Sequence, residues 1–264
     1  VDIHDIADNE AELFLEFSNN EDMEVPDRLF SDSSSIQTMI NRTNDALEQG
    51  AKIIVWNEIS LILNQKQKTE LIETVQFISK RNNVYLLTAF LEESADLSPK
   101  PFNNISVFIS PNGVILWEYK KSFLQPTAEA LIVNPGNYEI PVVTTPYGEI
   151  GTVICADLDM QHYIKQAGER SVDILLVPAY DWEGITPLHS QMARIHAVQF
   201  GVSIVRANGK GISVVYDQKG KEISSMNTLQ SDKKILMTDL QTGSVDTVYS
   251  NLGNIFILLC SAFL

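Results

Sequence analysis

Short apolar runs alternate with longer amphipathic segments in the first third of the chain. Residues 34–49 and 66–82 carry apolar side chains at helical spacing, and Gly50 is a natural end for the first of these helices. Residues 52–56 and 84–90 are short runs rich in apolar side chains, a pattern typical of buried strands. The alternation predicts an α/β fold in which helices cover a sheet.

The rest of the chain has the pattern of hairpins and further strands. Two pairs of apolar runs are joined by turn sequences, Pro111-Asn112-Gly113 in one hairpin and Pro146-Tyr147-Gly148 in the other. The hairpins cover residues 105–119 and 142–154, further strands are predicted at 172–177, 202–207, 212–216 and 234–239, a helix at 187–200 and a turn at 217–220. Hairpins that follow a helix–strand alternation indicate a mixed sheet rather than a purely parallel one.

The length and the two ends bear on domain organisation. The chain has 264 residues without a Pro/Gly/Ser-rich linker or a repeat, so we predict a single domain over residues 1–264. Residues 1–30 are acidic, lack signal-peptide features and contain no convincing strand, so we expect part of this segment to be mobile. Residues 254–264 are strongly apolar but shorter than the roughly 20 residues of a membrane-spanning helix. This end is either packed on the core or the start of a membrane helix.

Charge and cysteine content narrow the classes of partner and site. The net charge of -15 at pH 7 disfavours nucleic acid, because phosphate binding needs a basic surface. Two cysteines do not form a disulfide framework, and the four histidines lack the spacing of a metal site. Asn104-Ile105-Ser106 fits the acceptor pattern for N-glycosylation, a match that is common by chance.

Three polar residues stand where predicted strands end: Glu58, Lys121 and Cys155. Taken singly, a cysteine after an apolar run is more often an inert core residue. A carboxylate or a lysine at a strand end more often caps a helix or faces solvent. Together, however, a base, a fixed cation and a thiol at the ends of neighbouring strands are suited to acyl transfer.

Each of these residues has a distinct expected role. Glycines flank the strand before Cys155, and a tight turn there would expose the sulfur and aim main-chain N–H groups at an oxyanion. A free thiol is mostly protonated at neutral pH, so it needs a base or a cation nearby. Glu58 fits the base, with a pKa raised by burial, and Lys121 fits the cation that holds the thiolate or the oxyanion. Glu129 is placed to orient the lysine or the incoming nucleophile.

The segments around these residues resemble three known motifs. Val55-Trp56-Asn57-Glu58, residues 111–129 and residues 145–157 resemble the Glu, Lys and Cys motifs of the nitrilase superfamily, the carbon–nitrogen hydrolases. The resemblance extends over residues 51–253. It implies an α-β-β-α sandwich, a Glu58–Lys121–Cys155 catalytic triad, a cysteine thioester intermediate and no metal or organic cofactor.

Within the superfamily, the chain is most similar to the catalytic domain of the apolipoprotein N-acyltransferases. Residues 178–182, 188–194 and 247–253 carry this similarity. It implies a phospholipid acyl donor, an amine or peptide acceptor, and a domain on the outer face of a bacterial membrane, in contact with that membrane through helices outside this sequence. The residues expected to support the triad are Glu129, Ala156, Asp157 and Trp182.

The chain also departs from that branch. Ala156-Asp157 stands where the acyltransferases usually have Tyr-Glu, Thr127-Ala128 precedes Glu129 where they have Phe-Gly, and Gln199 replaces a glutamate. Two alternatives therefore stay open. One is a stand-alone cytoplasmic amidase that hydrolyses a small amide with water as acceptor, and the other is a catalytically silent interaction domain. A homo-oligomer is compatible with each of these functions.

Overall fold

The computed structural model describes residues 25–95, 100–126, 128–232, 234–253, 255 and 260–261. Residues 1–24 and most of the apolar end lie outside this range, and so do the predicted mobile start and the predicted start of a membrane helix. The helices are α1 Ser33–Glu48, α2 Gln65–Asn82, α3 Ala128–Ile132, α4 Gln161–Glu169, α5 Thr186–Phe200 and α6 Val248–Leu252, with 3-10 turns at Asp27–Leu29 and Cys155–Asp159. The strands are β1 Ile53–Val55, β2 Ile62–Leu63, β3 Tyr85–Glu93, β4 Phe102–Ile109, β5 Ile115–Lys120, β6 Val142–Thr145, β7 Gly148–Thr152, β8 Ile174–Ala179, β9 Ser203–Asn208, β10 Ile212–Tyr216 and β11 Glu222–Asn227.

Side-chain caps fix the starts of the two long helices. The Asp32 carboxylate accepts the Ser35 N–H at the start of α1, and the Asn64 side chain accepts the Gln67 N–H at the start of α2 in a capping box. These bonds satisfy N–H groups that have no partner within the helix. The helices end where the sequence predicts, within one residue of the expected bounds.

The strands form two mixed sheets. In the first sheet, β3 pairs in parallel with β1 and β2, and β4 and β5 continue it as antiparallel strands. In the second sheet the order is β11-β10-β9-β8-β7-β6, with parallel pairing only between β7, β8 and β9. Both predicted hairpins, β4–β5 and β6–β7, are therefore confirmed.

The two sheets pack face to face and helices cover their outer faces. Tyr85, Phe108 and Trp117 of the first sheet contact Ile150 and Leu176 of the second in one buried cluster. A second cluster joins α1 and α2 to the first sheet, and a third joins α4 and α5 to the second sheet. The layers follow the order α-β-β-α, as the resemblance implies.

The prediction of a strand at residues 234–239 is wrong. This segment forms no strand, but Ile235 and Met237 pack against the cluster beneath α1 and α2. Ile235 and Met237 are therefore partly buried in the core although the segment does not pair in a sheet. The edge of the second sheet is instead formed by β11, whose polar sequence concealed it because an edge strand need not be apolar on both faces.

The described parts of the two ends are short. Val25 and Leu29 are buried against Phe102, so residues 25–30 pack on the first sheet rather than extending away from it. Helix α6 has five residues and begins at a Thr247 side-chain cap. Among the residues described, no helix combines the length and hydrophobicity of a membrane span.

Candidate active site

Glu58 lies in the connection between β1 and β2. The Trp56 N–H donates to the Leu87 carbonyl at 2.9 Å, and the Ser60 N–H donates to the Ala89 carbonyl at 3.2 Å. Both bonds tie the connection to β3, so the residue between them is held in place. The side chain of Glu58 is only 2% exposed.

Lys121 follows β5 directly and is equally buried. Its Nζ donates to Glu58 Oε1 at 2.8 Å and to the two carboxylate oxygens of Glu129 at 2.7 and 2.9 Å. Glu129 lies in the short helix α3, and its Oε2 also accepts the Gln125 N–H at 2.8 Å. The structure thus brings together the expected base, the expected cation and one of the supporting residues.

Asn104 of β4 completes this group. Its Nδ2 donates to Glu58 Oε1 at 2.8 Å and to Glu129 Oε1 at 3.2 Å. Both Asn104 and Ser106 are fully buried, so this stretch is inaccessible to a glycosylating enzyme in the folded protein. The glycosylation match is therefore fortuitous.

Two acids facing one cation set the protonation of the cluster. Burial raises the pKa of Glu58 and the charge of Glu129 adds to the rise, while Lys121 and Asn104 oppose it. Burial alone would lower the pKa of Lys121, but the two glutamates raise it well above its ordinary value. Lys121 therefore stays a cation, and Glu58 can gain and lose a proton closer to neutral pH than an exposed glutamate.

Cys155 occupies the predicted tight turn after β7. Its φ of 44° lies in the left-handed region, which is unfavourable for a residue with a side chain and is found mainly where surrounding structure enforces it. The 3-10 turn Cys155–Asp159 follows at once. The expected exposure of the sulfur is not seen, since Cys155 is only 7% exposed and its Sγ lies 3.8 Å from the Tyr180 carbonyl oxygen.

The Cys155 thiol is protonated at rest. Burial raises its pKa well above 9 and Glu58 raises it further, which outweighs the lowering by Lys121 and Arg206. Glu58 and Lys121 are thus within electrostatic reach of the sulfur. A neutral, buried thiol needs a base before it can act as a nucleophile.

Asp157 holds the turn that carries Cys155. Its two oxygens accept the main-chain N–H groups of Ser122, Phe123 and Ile154 and the Tyr119 hydroxyl, at 2.6 to 3.0 Å. Burial raises its pKa to about 6, against the opposing effect of these donors. Asp157 therefore joins the turn after β7 to the chain directly after Lys121, rather than joining the charge cluster itself.

A second buried cluster of charges is centred on Asp181, the residue after Tyr180, whose carbonyl oxygen lies 3.8 Å from Cys155 Sγ. Asp181 accepts hydrogen bonds from Arg206 at 2.7 Å and Asn208 at 2.7 Å, and contacts His189 Nδ1 at 2.9 Å. Burial alone would raise the pKa of Asp181, but His189 and Arg206 hold it well below its usual range. Burial likewise opposes the charge on His189, but Asp159 and Asp181 raise its pKa to about 9.

Ala156 and Trp182 are the other two residues that were expected to support the triad. Ala156 is buried in the Cys155 turn, where its small side chain fits. Trp182 is 55% exposed and meets the ring of His189 edge-on, with 6.3 Å between the ring centres. Within the described ranges, no three histidine, cysteine or acidic side chains are arranged to hold a metal ion.

Sequence reasoning missed Asn104, Asp181 and Arg206. Asn104 sits inside a strand rather than at its end, and its sequence context indicates only a glycosylation match. Asp181 lies beside the expected Trp182, and Arg206 lies in β9, where a charged residue among apolar neighbours signals a buried ion pair.

Comparison with known proteins gives the family of this chain. The family model "Carbon-nitrogen hydrolase" matches residues 4–249. The chain belongs to the carbon–nitrogen hydrolase family, within the nitrilase superfamily. It is 23% identical over 231 residues to an apolipoprotein N-acyltransferase of Vibrio parahaemolyticus, which covers 77% of this chain and 45% of that protein. The chain thus spans about half the length of its acyltransferase relatives.

Amidases of this family are similar as well. A deaminated glutathione amidase of Dictyostelium discoideum is 27% identical over 207 residues, covering 70% of each protein. The crystal structure of an amidase from Nesterenkonia sp. superimposes with a TM-score of 0.69 at 18% identity, covering 88% of this chain and 90% of that one. A variant of that amidase, with a TM-score of 0.68 and 17% identity, shows covalent addition of the acetamide moiety of fluoroacetamide at the active site cysteine, and covers 85% and 90% of the two chains.

Proposed function

We propose that this chain is an N-acyltransferase domain in which Cys155 carries the acyl group as a thioester. In this proposal Glu58 is the general base and Lys121 stabilises the oxyanion. The observation that carries it is the buried Lys121 ammonium, 2.8 Å from Glu58 and 2.7 Å from Glu129, within electrostatic reach of a buried thiol in a strained turn. A nucleophile, a base and a fixed cation in one place are the parts that acyl transfer requires.

The first half of the reaction loads the cysteine. Glu58 takes the thiol proton, and the sulfur of Cys155 forms a bond to the carbonyl carbon of the acyl donor. The oxyanion that develops is held by the Lys121 ammonium and the Ala156 N–H. When this intermediate collapses, the bond to the leaving group breaks, and the leaving group departs with the proton from Glu58.

The second half transfers the acyl group. An amine attacks the thioester carbon, Glu58 accepts a proton from that amine, and the carbon–sulfur bond breaks. Cys155 then regains a proton from Glu58. Glu129 positions the lysine during both halves. The raised pKa of Glu58 supports this exchange, because a base must give back the proton that it takes.

Apolar surface next to the cluster favours a lipid donor. Leu131 is 54% exposed in the same short helix as Glu129, and the exposed Trp182 ring belongs to the loop that faces Cys155 through Tyr180. Such surface suits an acyl chain. With the acyltransferase relatives, it supports a phospholipid donor, an amine or peptide acceptor and a place on the outer face of a bacterial membrane, with membrane contact through helices outside this sequence.

A small-amide hydrolase is the second candidate. The Dictyostelium amidase aligns over 70% of its length, unlike the acyltransferases, of which the chain spans less than half. In that case water replaces the amine, the same thioester forms and the location is cytoplasmic. The two candidates share the loading step and differ in donor and acceptor.

The test is to trap the acyl-enzyme. The protein is incubated with phosphatidylethanolamine vesicles or with a short-chain amide, and the intact mass is measured before and after hydroxylamine, which cleaves thioesters. We expect a hydroxylamine-sensitive acyl adduct in wild type and in Cys260→Ser, and none in Cys155→Ala. Cys260 is exposed and unpaired, so its variant is the matched control for a thiol outside the site.

The donor that loads Cys155 decides between the candidates. An adduct from the phospholipid supports the acyltransferase, and an adduct from the amide alone supports the hydrolase. No adduct from either donor, together with iodoacetamide alkylation of Cys155 that is unchanged in Glu58→Gln and Lys121→Met, would refute both. The catalytically silent interaction domain would then be the better account.

A further inference from the structure

Asn104 is built into both the sheet and the charge cluster. It is fully buried in β4, and its main-chain carbonyl accepts the Lys121 N–H at 2.8 Å. The strand that carries Asn104 therefore also fixes the start of the segment that carries the lysine. The Asn104 side chain and the Lys121 main chain are therefore held at the same point of the sheet.

The Asn104 amide and the Lys121 ammonium bridge the same two oxygens. Glu58 Oε1 accepts from Lys121 Nζ at 2.8 Å and from Asn104 Nδ2 at 2.8 Å. Glu129 Oε1 accepts from Nζ at 2.7 Å and from Nδ2 at 3.2 Å. Two donors and two acceptors form a closed four-membered arrangement, in which one donor is charged and the other is neutral.

The orientation of the amide is determined by the two carboxylates. A flipped side chain would place its oxygen against two carboxylate oxygens, which cannot donate to it when ionised. In the orientation present, Asn104 Oδ1 is buried and has no hydrogen-bond partner within the described part of the chain. An unsatisfied buried acceptor is unfavourable. The two hydrogen bonds that Nδ2 donates to the carboxylates offset this cost, because hydrogen bonds to charged groups are stronger than neutral ones.

We propose that Asn104 is a positioning residue, which holds the carboxylates of Glu58 and Glu129 as a fixed pair around the Lys121 ammonium without adding charge. This inference rests on the proposed function, since it assigns the pair a role in the chemistry of Cys155. A second cation in this place would neutralise both acids and leave Glu58 a weaker base. An apolar side chain would leave the two carboxylates held by the lysine alone.

The test is the pH profile of Cys155 alkylation by iodoacetamide, measured in a Cys260→Ser background. The groups that face Glu58 are Lys121, Glu129 and Cys155. A hydrogen bond to an ionised carboxylate favours that form, so Asn104→Leu should make Glu58 harder to ionise. We expect the acid limb of the profile to move up by about one pH unit, with a rate about tenfold lower at pH 6.

Asn103→Leu is the matched control. Asn103 is also buried in β4 and also donates to a carboxylate, Glu92 Oε1 at 3.0 Å, but outside the cluster. Its loss should reduce stability without moving the acid limb. If both variants leave the limb in place, or move it equally, Asn104 is only a structural residue and the inference is wrong.

Two further variants keep the outcome decisive. Asn104→Ser retains one donor, so it should give an intermediate shift even if the leucine variant does not fold. Glu58→Gln should remove the acid limb altogether. If it does not, the proposed base is wrong, whereas a limb lost in Glu58→Gln but unmoved in Asn104→Leu and Asn104→Ser refutes only the role of Asn104.

Discussion

Two groups of buried charges near Cys155 differ in how many cations face each carboxylate. In the first group, two glutamates share the single ammonium of Lys121. In the second group, Asp181 is hydrogen-bonded to both Arg206 and His189. Both groups influence the pKa of the Cys155 thiol, so both lie within electrostatic reach of it.

This difference distinguishes a carboxylate that can exchange a proton from one that only organises the structure. Burial raises the pKa of Glu58 and the charge of Glu129 adds to the rise, so this carboxylate can bind and release a proton. Excess base holds the pKa of Asp181 well below its usual range, so this carboxylate stays ionised at any working pH. A permanently ionised, fully paired carboxylate can organise the loop of Tyr180 and Trp182, but it cannot act as a general base.

Removing the shared cation should have the largest effect. Lys121→Met leaves two buried carboxylates without their ammonium and the oxyanion without its fixed charge. We expect thioester formation to fall by about 1000-fold, and the free energy of unfolding by about 3–5 kcal/mol. Lys120→Met, one residue earlier and outside the cluster, is the matched control and should change the rate less than about threefold. A Lys121→Met rate within tenfold of wild type would mean that the lysine does not stabilise the reacting carbonyl.

Removing the cation of the second group should act on stability rather than on chemistry. Arg206→Met leaves Asp181 with His189 and Asn208 only, at a cost of about 3–5 kcal/mol in the free energy of unfolding, measured with urea. Lys165→Met removes an exposed pair with Glu169 and should cost less than about 1 kcal/mol. If the folded Arg206→Met protein loaded acyl groups about 1000-fold more slowly, the Asp181 group would belong to the chemistry and the contrast would fail.

The sequence predicted the residues around Glu58 better than those around Asp181. The strands before Glu58, Lys121 and Cys155 are not the neighbours that the sequence predicts, because β3 and β4 separate β1 from β5 and β7 lies in the other sheet. Each residue nevertheless follows an apolar run, so a meeting of the three at strand ends could be expected. The contacts of Lys121 with Glu58 agree with that expectation, while the catalytic roles of the three residues stay predictions. The layered fold was predicted for the same reason, from apolar runs and turn sequences.

The remaining contacts join segments that no local pattern relates. Asn104 lies 46 residues from Glu58 along the chain, and Asp181 lies 25 residues from Arg206. A buried amide inside a strand looks like any other polar residue until its partners are known. The protonation of Cys155 was likewise beyond the sequence, because it depends on how far burial outweighs Lys121.

A third buried carboxylate, Asp157, lies between Glu58 and Asp181 in its surroundings, since the four groups that donate hydrogen bonds to it are all neutral. Its pKa in the folded protein is about 6, against an ordinary value of 3.8. A raised pKa means that its contribution to stability is complete below pH 3.8 and is lost as the pH rises through 6, by about 3 kcal/mol. Asp157→Asn cannot ionise and should not show this loss.

The measurement is urea unfolding of both proteins from pH 4 to pH 7. The difference in unfolding free energy between Asp157→Asn and wild type should move in favour of the variant as the pH rises. If wild type instead gains stability relative to the variant over this range, the four donors hold Asp157 as a carboxylate. It would then resemble Asp181 rather than Glu58.

The smallest effect on stability is expected at His189, which contacts Asp181 and, at a longer distance, the more exposed Asp159. Its pKa is raised to about 9, so its contribution to stability is complete below pH 6.5 and is lost as the pH rises through 9. His189→Gln should therefore cost more at pH 6 than at pH 10, by about 1 kcal/mol once screening at the more exposed Asp159 is allowed for. A double-mutant cycle with Asp159→Asn, measured by urea unfolding at both pH values, separates that pair from the shorter contact with Asp181. Equal costs at pH 6 and pH 10 would mean that His189 is neutral in the folded protein, and Asp181 would then depend on Arg206 as its only cation.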